Sequence, residues 1–339
     1  MHVACAALAE WRHRKQGLMS QYLLQRLFLN VPVIILVITI VFLMGRARPD
    51  FAEQRAAQGL SNAGDYNQAL QAVRHQLGTD RPLWQQYGYY MADVARGDLG
   101  TSFITQHPVT SELRKRLAPS IELGLLQISV AVLIALPIGV ISAVRQDSLP
   151  DYGLRVFAVL GLAIPSFYLG TLLLLFSVKV LGWTPPLVNT AYREIWDDPI
   201  ANLKMMALPA LAGGLGEAAI IMRLLRSQLL EVLRQDYVRT AFAKGLKERN
   251  VVMTHALRNA LIPVVTILGL LIGAVVGAAV VLETLFEIPG AGQFTVLSLK
   301  QNDFPVVQGF VLIIALVLVM TNLIVDVTYA WLDPRIRFE

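Results

Sequence analysis

"LFLNVPVIILVITIVFLMG", residues 27–45, contains no charged side chain. As a helix rising 1.5 Å per residue it is about 28 Å long, enough to cross the hydrocarbon core of a bilayer. Five further stretches of similar character follow, at about 120–144, 154–181, 205–225, 260–282 and 305–331. They are continuous rather than alternating, so they predict helices and not the strands of a barrel. The composition agrees: 55% of the 339 residues are hydrophobic, only 16% are charged, and the mean hydropathy is +0.55. Soluble domains carry about a quarter charged residues. The expected fold class is therefore an all-α membrane protein with six transmembrane helices.

The short loops orient the bundle. Arg12, Arg14, Lys15 and Arg26 precede the first span. Arg145 and Arg155 flank the second loop, the basic residues from Arg223 to Arg258 the fourth, and Arg335 and Arg337 follow the last span. The opposite short loops hold only Lys179, Arg193, Lys204 and Lys300. The positive-inside bias places both termini in the cytoplasm. It also accounts for the sequence pI near 9.4, so no nucleic-acid partner is called for. Residues 1–18 run apolar and then basic, the reverse of a secretory signal. They are expected to be an N-terminal extension without a structural signature, with Met19 reading as a natural start and the first transmembrane helix over 19–45. Residues 46–118 form an external segment that folds, with a helical face through Leu83, Tyr87, Tyr90 and Val94. The external loop 182–203 is expected along the membrane surface. Residues 119–339 make the five-helix core, with a cytoplasmic loop at 226–259.

That loop contains "DYVRTAFAKGLKERN", residues 236–250, dense in charge between two oily spans. As a helix it brings Val238, Ala241 and Phe242 to one face at i, i+3 and i+4, directed at the cytoplasm. Arg239 and Lys244 lie off that stripe. Gly245 can take the left-handed conformation that ends a helix and turns the chain, and a second helix would begin near Lys247. Two readings remain open on the residues alone: a solvated loop held inside by its charge, or a docking surface for a cytoplasmic partner.

The stretch "DYVRTAFAKGLKERNVVMTHALRNALIPVV", 236–265, resembles the cytoplasmic loop of binding-protein-dependent ABC importer permeases. That loop is marked by Glu-Ala-Ala, three residues, Gly, nine residues, then Ile-x-Leu-Pro. Aligned on Gly245, Arg239, Thr240 and Ala241 occupy the triplet, and only Ala241, Gly245 and Leu257 fit the general pattern. The departures are similar to the dipeptide/oligopeptide (and nickel) transport branch, as are "RPLWQQYGYY", "RGDLGTSF", "LETLFEIPGAGQ", "NDFPVVQG" and "NLIVDVTYAWLDPRIR" in their order. One departure is "RPDF" at 48–51, where the branch usually has Pro-Gly-Asp-Pro. The resemblance covers Met19 to the C-terminus. It implies the type I ABC importer permease fold, in the bacterial inner membrane. The implied partners are a second homologous permease, two cytoplasmic ATPase subunits that carry ATP and Mg, and an external substrate-binding protein. It further implies a coupling helix in which Val238, Arg239, Thr240, Ala241, Phe242 and Lys244 dock on an ATPase, with Gly245 making the turn.

The rest of the chain offers no chemistry of its own. No Gly-x-x-x-x-Gly-Lys-[Ser/Thr] phosphate loop occurs, so no cofactor is expected on this chain and ATP must come on a partner. The single cysteine, Cys5, excludes an internal disulfide, and the five histidines have no metal-ligand spacing. No catalytic residue and no metal site are predicted. Candidates for a translocation path are Glu217, mid-span in "AGGLGEAAIIMRLL", with Glu283, Asn322 and Asp326. A carboxylate inside a span needs water, a partner or a proton, so Glu217 is either a packed, hydrogen-bonded residue or a group facing an aqueous path. Asn322, Asp326 and Tyr329 share one helical stripe, and with Glu283 they read more readily as interhelical hydrogen-bond sites than as substrate ligands, although they also fit a cavity lining. Gly269, Gly273 and Gly277, each four apart, predict close helix packing. The rival function is an ion-coupled secondary transporter using the intramembrane carboxylates, which predicts inverted repeats with broken helices. A scaffold without transport is a third class.

Overall fold

The computed structural model describes residues 28–46, 71, 74–75, 80–186 and 192–332, without side-chain placement at 275, 276, 278 and 325–332. Regular structure among them is helical, apart from one isolated bridge pairing Thr101 with Pro108. In chain order the helices are α1 (Phe28–Arg46), α2 (Leu83–Ala95), α3 (Val109–Val144), α4 (Leu149–Ala163), α5 (Ser166–Lys179), α6 (Pro199–Leu233), α7 (Asp236–Ala243) and α8 (Glu248–Asn250). A π-helical segment, Val251–Ala256, leads into α9 (Leu257–Phe286), followed by α10 (Ala291–Lys300) and α11 (Phe304–Leu332).

Five of these helices are long and apolar enough to cross a membrane, and up to seven spans are counted if two bent pairs each cross. The expected third span, 154–181, is one of those pairs: α4 and α5 meet at 106°. Pro165 is the cause. It lacks a backbone donor and pushes the preceding residue out of the helical region, and Ile164 is extended at φ −90°, ψ 120°. The second bent pair, Ala279–Phe286 with α10, turns by 78°. α3 also begins earlier than the apolar run suggests, at Val109 within the expected external segment.

The chain divides into two compact units. The larger takes in Leu117–Gln293 and the described part of Leu318–Glu339. At its centre is α6, whose apolar window is 56% buried against 17–28% for the other spanning helices. A helix enclosed by protein does not need lipid-facing side chains, which explains its lower hydropathy of 1.6. It uses small residues instead. A Cβ on Gly214 would lie 2.7 Å from the Gln127 carbonyl oxygen of α3, and one on Gly161 of α4 would lie 3.2 Å from Ala219 Cβ. Asp198 caps α6 by accepting from Ala201 N–H at 3.0 Å, with Pro199 in the first turn, where its missing donor has no cost.

The smaller unit comprises the described parts of Leu27–Arg116 and Phe294–Val317. Here α2 packs on α1: Thr39 Oγ1 meets Tyr87 Oη at 2.7 Å, and Phe42 stacks edge-on against Tyr87 at 5.3 Å. Tyr90 and Val94 join this cluster as the helical pattern predicts, whereas Leu83 is exposed at the first turn. Buried Asp303 accepts from Ser102 Oγ at 2.5 Å and from Phe103 N–H at 2.9 Å, fixing the loop before α3. The part of the expected external segment from 80 to 118 is thus folded. The N-terminal extension 1–18, and "RPDF" at 48–51, lie outside the described residues.

Candidate functional site

α7 is a short helix hung from the end of α6. Gln235 precedes it in an extended conformation, and Lys244 and Gly245 close it. Lys244 N–H donates to Thr240 O at 3.1 Å and Gly245 N–H to Phe242 O at 2.9 Å. Gly245 has φ +78°, the left-handed turn its position predicts. Asn259 Nδ2 donates to Tyr237 Oη at 2.7 Å, tying α7 to the start of α9.

The direction of the apolar face is a correction. Val238 is fully buried and Ala241 nearly so, packed on Val251 with Val232 and Leu233 against them. These two residues hold α7 to its own chain and offer nothing outward. What α7 presents is Phe242, 44% exposed, Tyr237, 45% exposed, and Leu246 beyond the turn, 41% exposed, among the exposed Arg239, Thr240 and Lys244. The spacing identified an apolar face, but spacing alone cannot say which surface covers it.

The intramembrane candidates lie on three helices, α6, α9 and α11. Glu217 is half-buried on α6, and its Oε2 is buried with no hydrogen-bond partner among the described residues. Asn322 is exposed on α11. The side chain of Asp326, with that of Tyr329, lies outside the described residues. Glu283 is fully buried, as suits a hydrogen-bonding site rather than a substrate ligand. Its Oε2 accepts from Gln293 N–H at 2.9 Å, across the turn that joins α9 to α10. Ser120 Oγ on α3 accepts from Ala291 N–H at 2.9 Å beside it. Glu287 occupies the left-handed conformation at the end of α9, and Ile288 N–H returns to Glu283 O at 2.9 Å. Glu283 therefore braces a chain reversal. Among the three spaced glycines, Gly273 makes a close approach: a Cβ there would sit 3.0 Å from Thr321 of α11. Gly269 is half-buried and Gly277 exposed.

One polar constellation was missed in the sequence. Asp151, in the first turn of α4, is fully buried. Arg226 of α6 forks onto it, Nε to Oδ1 at 3.0 Å and Nη2 to Oδ2 at 2.9 Å. Ser142 Oγ of α3 donates to Oδ1 and accepts from Arg226 Nε at 3.1 Å. Asp147 N–H, at a left-handed φ of 60°, donates to Oδ2 at 3.0 Å, and Arg155 Nη2 reaches the same oxygen at 2.9 Å. Such forked, charge-assisted bonds are the strong ones. Removing one partner of a buried pair costs about 3–5 kcal/mol, because the other charge is left uncompensated.

Among the described residues no group of three or more His, Cys, Asp or Glu side chains could hold a metal ion.

The profile of the family described as "Binding-protein-dependent transport system inner membrane component" matches residues 135–338. That of its N-terminal part, "Binding-prot-dependent transport system membrane comp, N-term", matches residues 19–124. The dipeptide transport system permease protein DppB of Alkalihalophilus pseudofirmus is 36% identical over 337 residues, covering 94% of this chain and 100% of its own length. The glutathione transport system permease protein GsiC of Pectobacterium atrosepticum is 38% identical over 322 residues, covering 95% and 100%. GsiC of Escherichia coli K12 is 37% identical over the same length. Among solved structures, an amino acid ABC transporter aligns at a TM-score of 0.47 and 13% identity, over 67% of this chain and 95% of its own. The ion-coupled alternative finds no support in these matches. The protein is a multi-pass permease subunit of an ABC importer, working with a substrate-binding protein and ATPase subunits. The chain belongs to the family of binding-protein-dependent transport system inner membrane components.

Proposed function

We propose that this chain carries peptides or similar small solutes inward, as one of two homologous permeases paired with two ATPases that bind ATP and Mg. The likeness to permeases named for dipeptide and glutathione transport supports the substrate class. In this reading six spans cross the membrane, α4 and α5 together forming the third and α10 turning back at the outer side, with both termini in the cytoplasm. The binding protein delivers solute to the outer mouth. ATP binding closes the ATPase dimer, draws the coupling helices together and opens the bundle outward, and hydrolysis resets it.

The observation that carries this reading is α7. It is clamped to its own bundle by buried Val238 and Ala241 while Tyr237, Phe242 and Leu246 remain uncovered, among the exposed Arg239, Thr240 and Lys244. A rigid helix with one face anchored and the other free can pass a partner's movement into α6 and α9 as a rigid-body shift. The expected result on purification is an assembly with an ATPase and a second permease, whose ATP hydrolysis rises with loaded binding protein. A chain that purifies alone and takes up solute on a proton gradient overturns the proposal.

Glu217 is a path candidate whose buried carboxylate oxygen has no partner among the described residues. A carboxylate left unpaired inside a span would draw a substrate's amino group. Glu217→Gln is expected to lower uptake of solutes with a free amino terminus by about tenfold, the weight of one charge-assisted bond. Uptake of N-acetylated solutes should hold steady. Equal uptake of both classes by the variant and the wild type removes Glu217 from the path.

A further inference from the structure

The buried Asp151 cluster is absorbed by no part of the transport reading, yet it lies on the line of force leading from α7. Val238 and Ala241 seat α7 on Val232 and Leu233, the last residues of α6. Arg226 is seven residues, about 10 Å, back along the same helix. From there its guanidinium holds Asp151, and through Asp151 the whole corner between α3 and α4. Ser142 ties in the end of α3, Asp147 N–H ties in the corner's backbone, and Arg155 binds Asp147 Oδ1 at 3.2 Å as well as Asp151. Ser148 Oγ closes the corner on Arg145 O at 2.6 Å. Apolar contact is close here too: a Cβ on Gly139 of α3 would lie 3.0 Å from Leu225 of α6. Contact of that kind permits sliding. A forked ion pair with a fixed donor plane does not.

We propose that Asp151 and Arg226 are a positioning pair that makes the α3–α4 corner move as one body with α6 and the coupling helix α7. The pair touches neither solute nor nucleotide. It acts by allowing a displacement at α7 to reach two further helices without slack, and it rests on the reading of α7 as the coupling helix.

The test uses the complete importer, with its ATPases and binding protein, in vesicles supplied with a labelled dipeptide. Asp151→Asn keeps the shape and removes the charge. Arg226→Lys keeps the charge and removes the fork. Two readouts are taken: ATP hydrolysed per dipeptide imported, and the distance between spin labels at Gln146 and Ala243, with Cys5 replaced by Ser. For Asp151→Asn the ratio is expected to rise about fivefold, in the range of coupling changes from network residues. The Gln146–Ala243 distance should broaden, and Arg226→Lys should fall between it and the wild type. Wild-type ratio and distance in Asp151→Asn overturn the proposal. So does failure of both variants to assemble, which would make the pair a folding element only. If Asp151→Asn alone fails to assemble, Arg226→Lys decides by the same two readouts. A wild-type complex that imports no dipeptide and shows no ATP-dependent change at the labels fails the transport reading instead, which separates the two.

Discussion

Gly245→Val is expected to leave membrane insertion and helix content unchanged while lowering transport about tenfold, through the cost of forcing a side chain into the left-handed region. The cause is isolated because no steric clash contributes: a Cβ at Gly245 would meet nothing within 4 Å. What opposes it is φ +78° alone. That cost is about 1–2 kcal/mol for an ordinary L residue, larger for a β-branched one, and smallest for asparagine. The series Asn, Ala, Val should therefore grade uptake downward in that order, with Asn near the wild type. The chain leaving α7 would redirect Leu246 and the short α8, and the outward face of α7 would lose the approach to the ATPase proposed for it. ATP hydrolysis stimulated by the binding protein should decline along the same series. Equal transport by all three variants would show that the turn is not needed for coupling.

The membrane class, the lengths of the first and last spans and the turn at Gly245 were legible because each follows from composition or local spacing. The break in the third span was also visible in principle. "IPS" at 164–166 sits mid-run, and a proline forces the residue before it into an extended conformation. Hydropathy averages across such a break, so 154–181 looked continuous. The face of α7 was legible as a pattern but not in its direction, because Val238 and Ala241 are covered by Val251, Val232 and Leu233, and nothing local to α7 records that. The Asp151 cluster was hidden for a different reason. Arg226 lies 75 residues from Asp151, and a basic residue beside a span is already explained by topology. Its true partner could be found only in three dimensions. Glu283 was legible as a hydrogen-bonding acid at the end of a span, but that it accepts from Gln293 N–H across a turn was not.

That turn supports the second large effect. Gly290 and Gly292 both lie against Glu283, yet they should fail differently when given side chains. A Cβ on Gly292 would be 2.7 Å from Val280 Cα, a backbone atom that cannot rotate away. Gly292→Val is expected to destabilise the α9–α10 reversal by about 3 kcal/mol, at the upper end for overpacking. It should be read as a lower melting midpoint and loss of monodisperse complex in detergent. A Cβ on Gly290 would be 2.2 Å from Glu283 Oε2, a side-chain atom. Trimming that carboxylate should restore space, at the cost of leaving Gln293 N–H unpaired. A double-mutant cycle separates the two cases. Gly290→Ala with Glu283→Ala should show a favourable coupling of about 1 kcal/mol or more, since the pair shares one clash. Gly292→Val with Glu283→Ala should remain nearly as unstable as Gly292→Val alone, because Val280 is still in the way. Gly153→Ala on α4, where a Cβ meets nothing within 4 Å, serves as the neutral control and should not lower the midpoint. Equal rescue of both glycine variants by Glu283→Ala would mean that the carboxylate, and not the backbone of α9, sets the geometry of the turn.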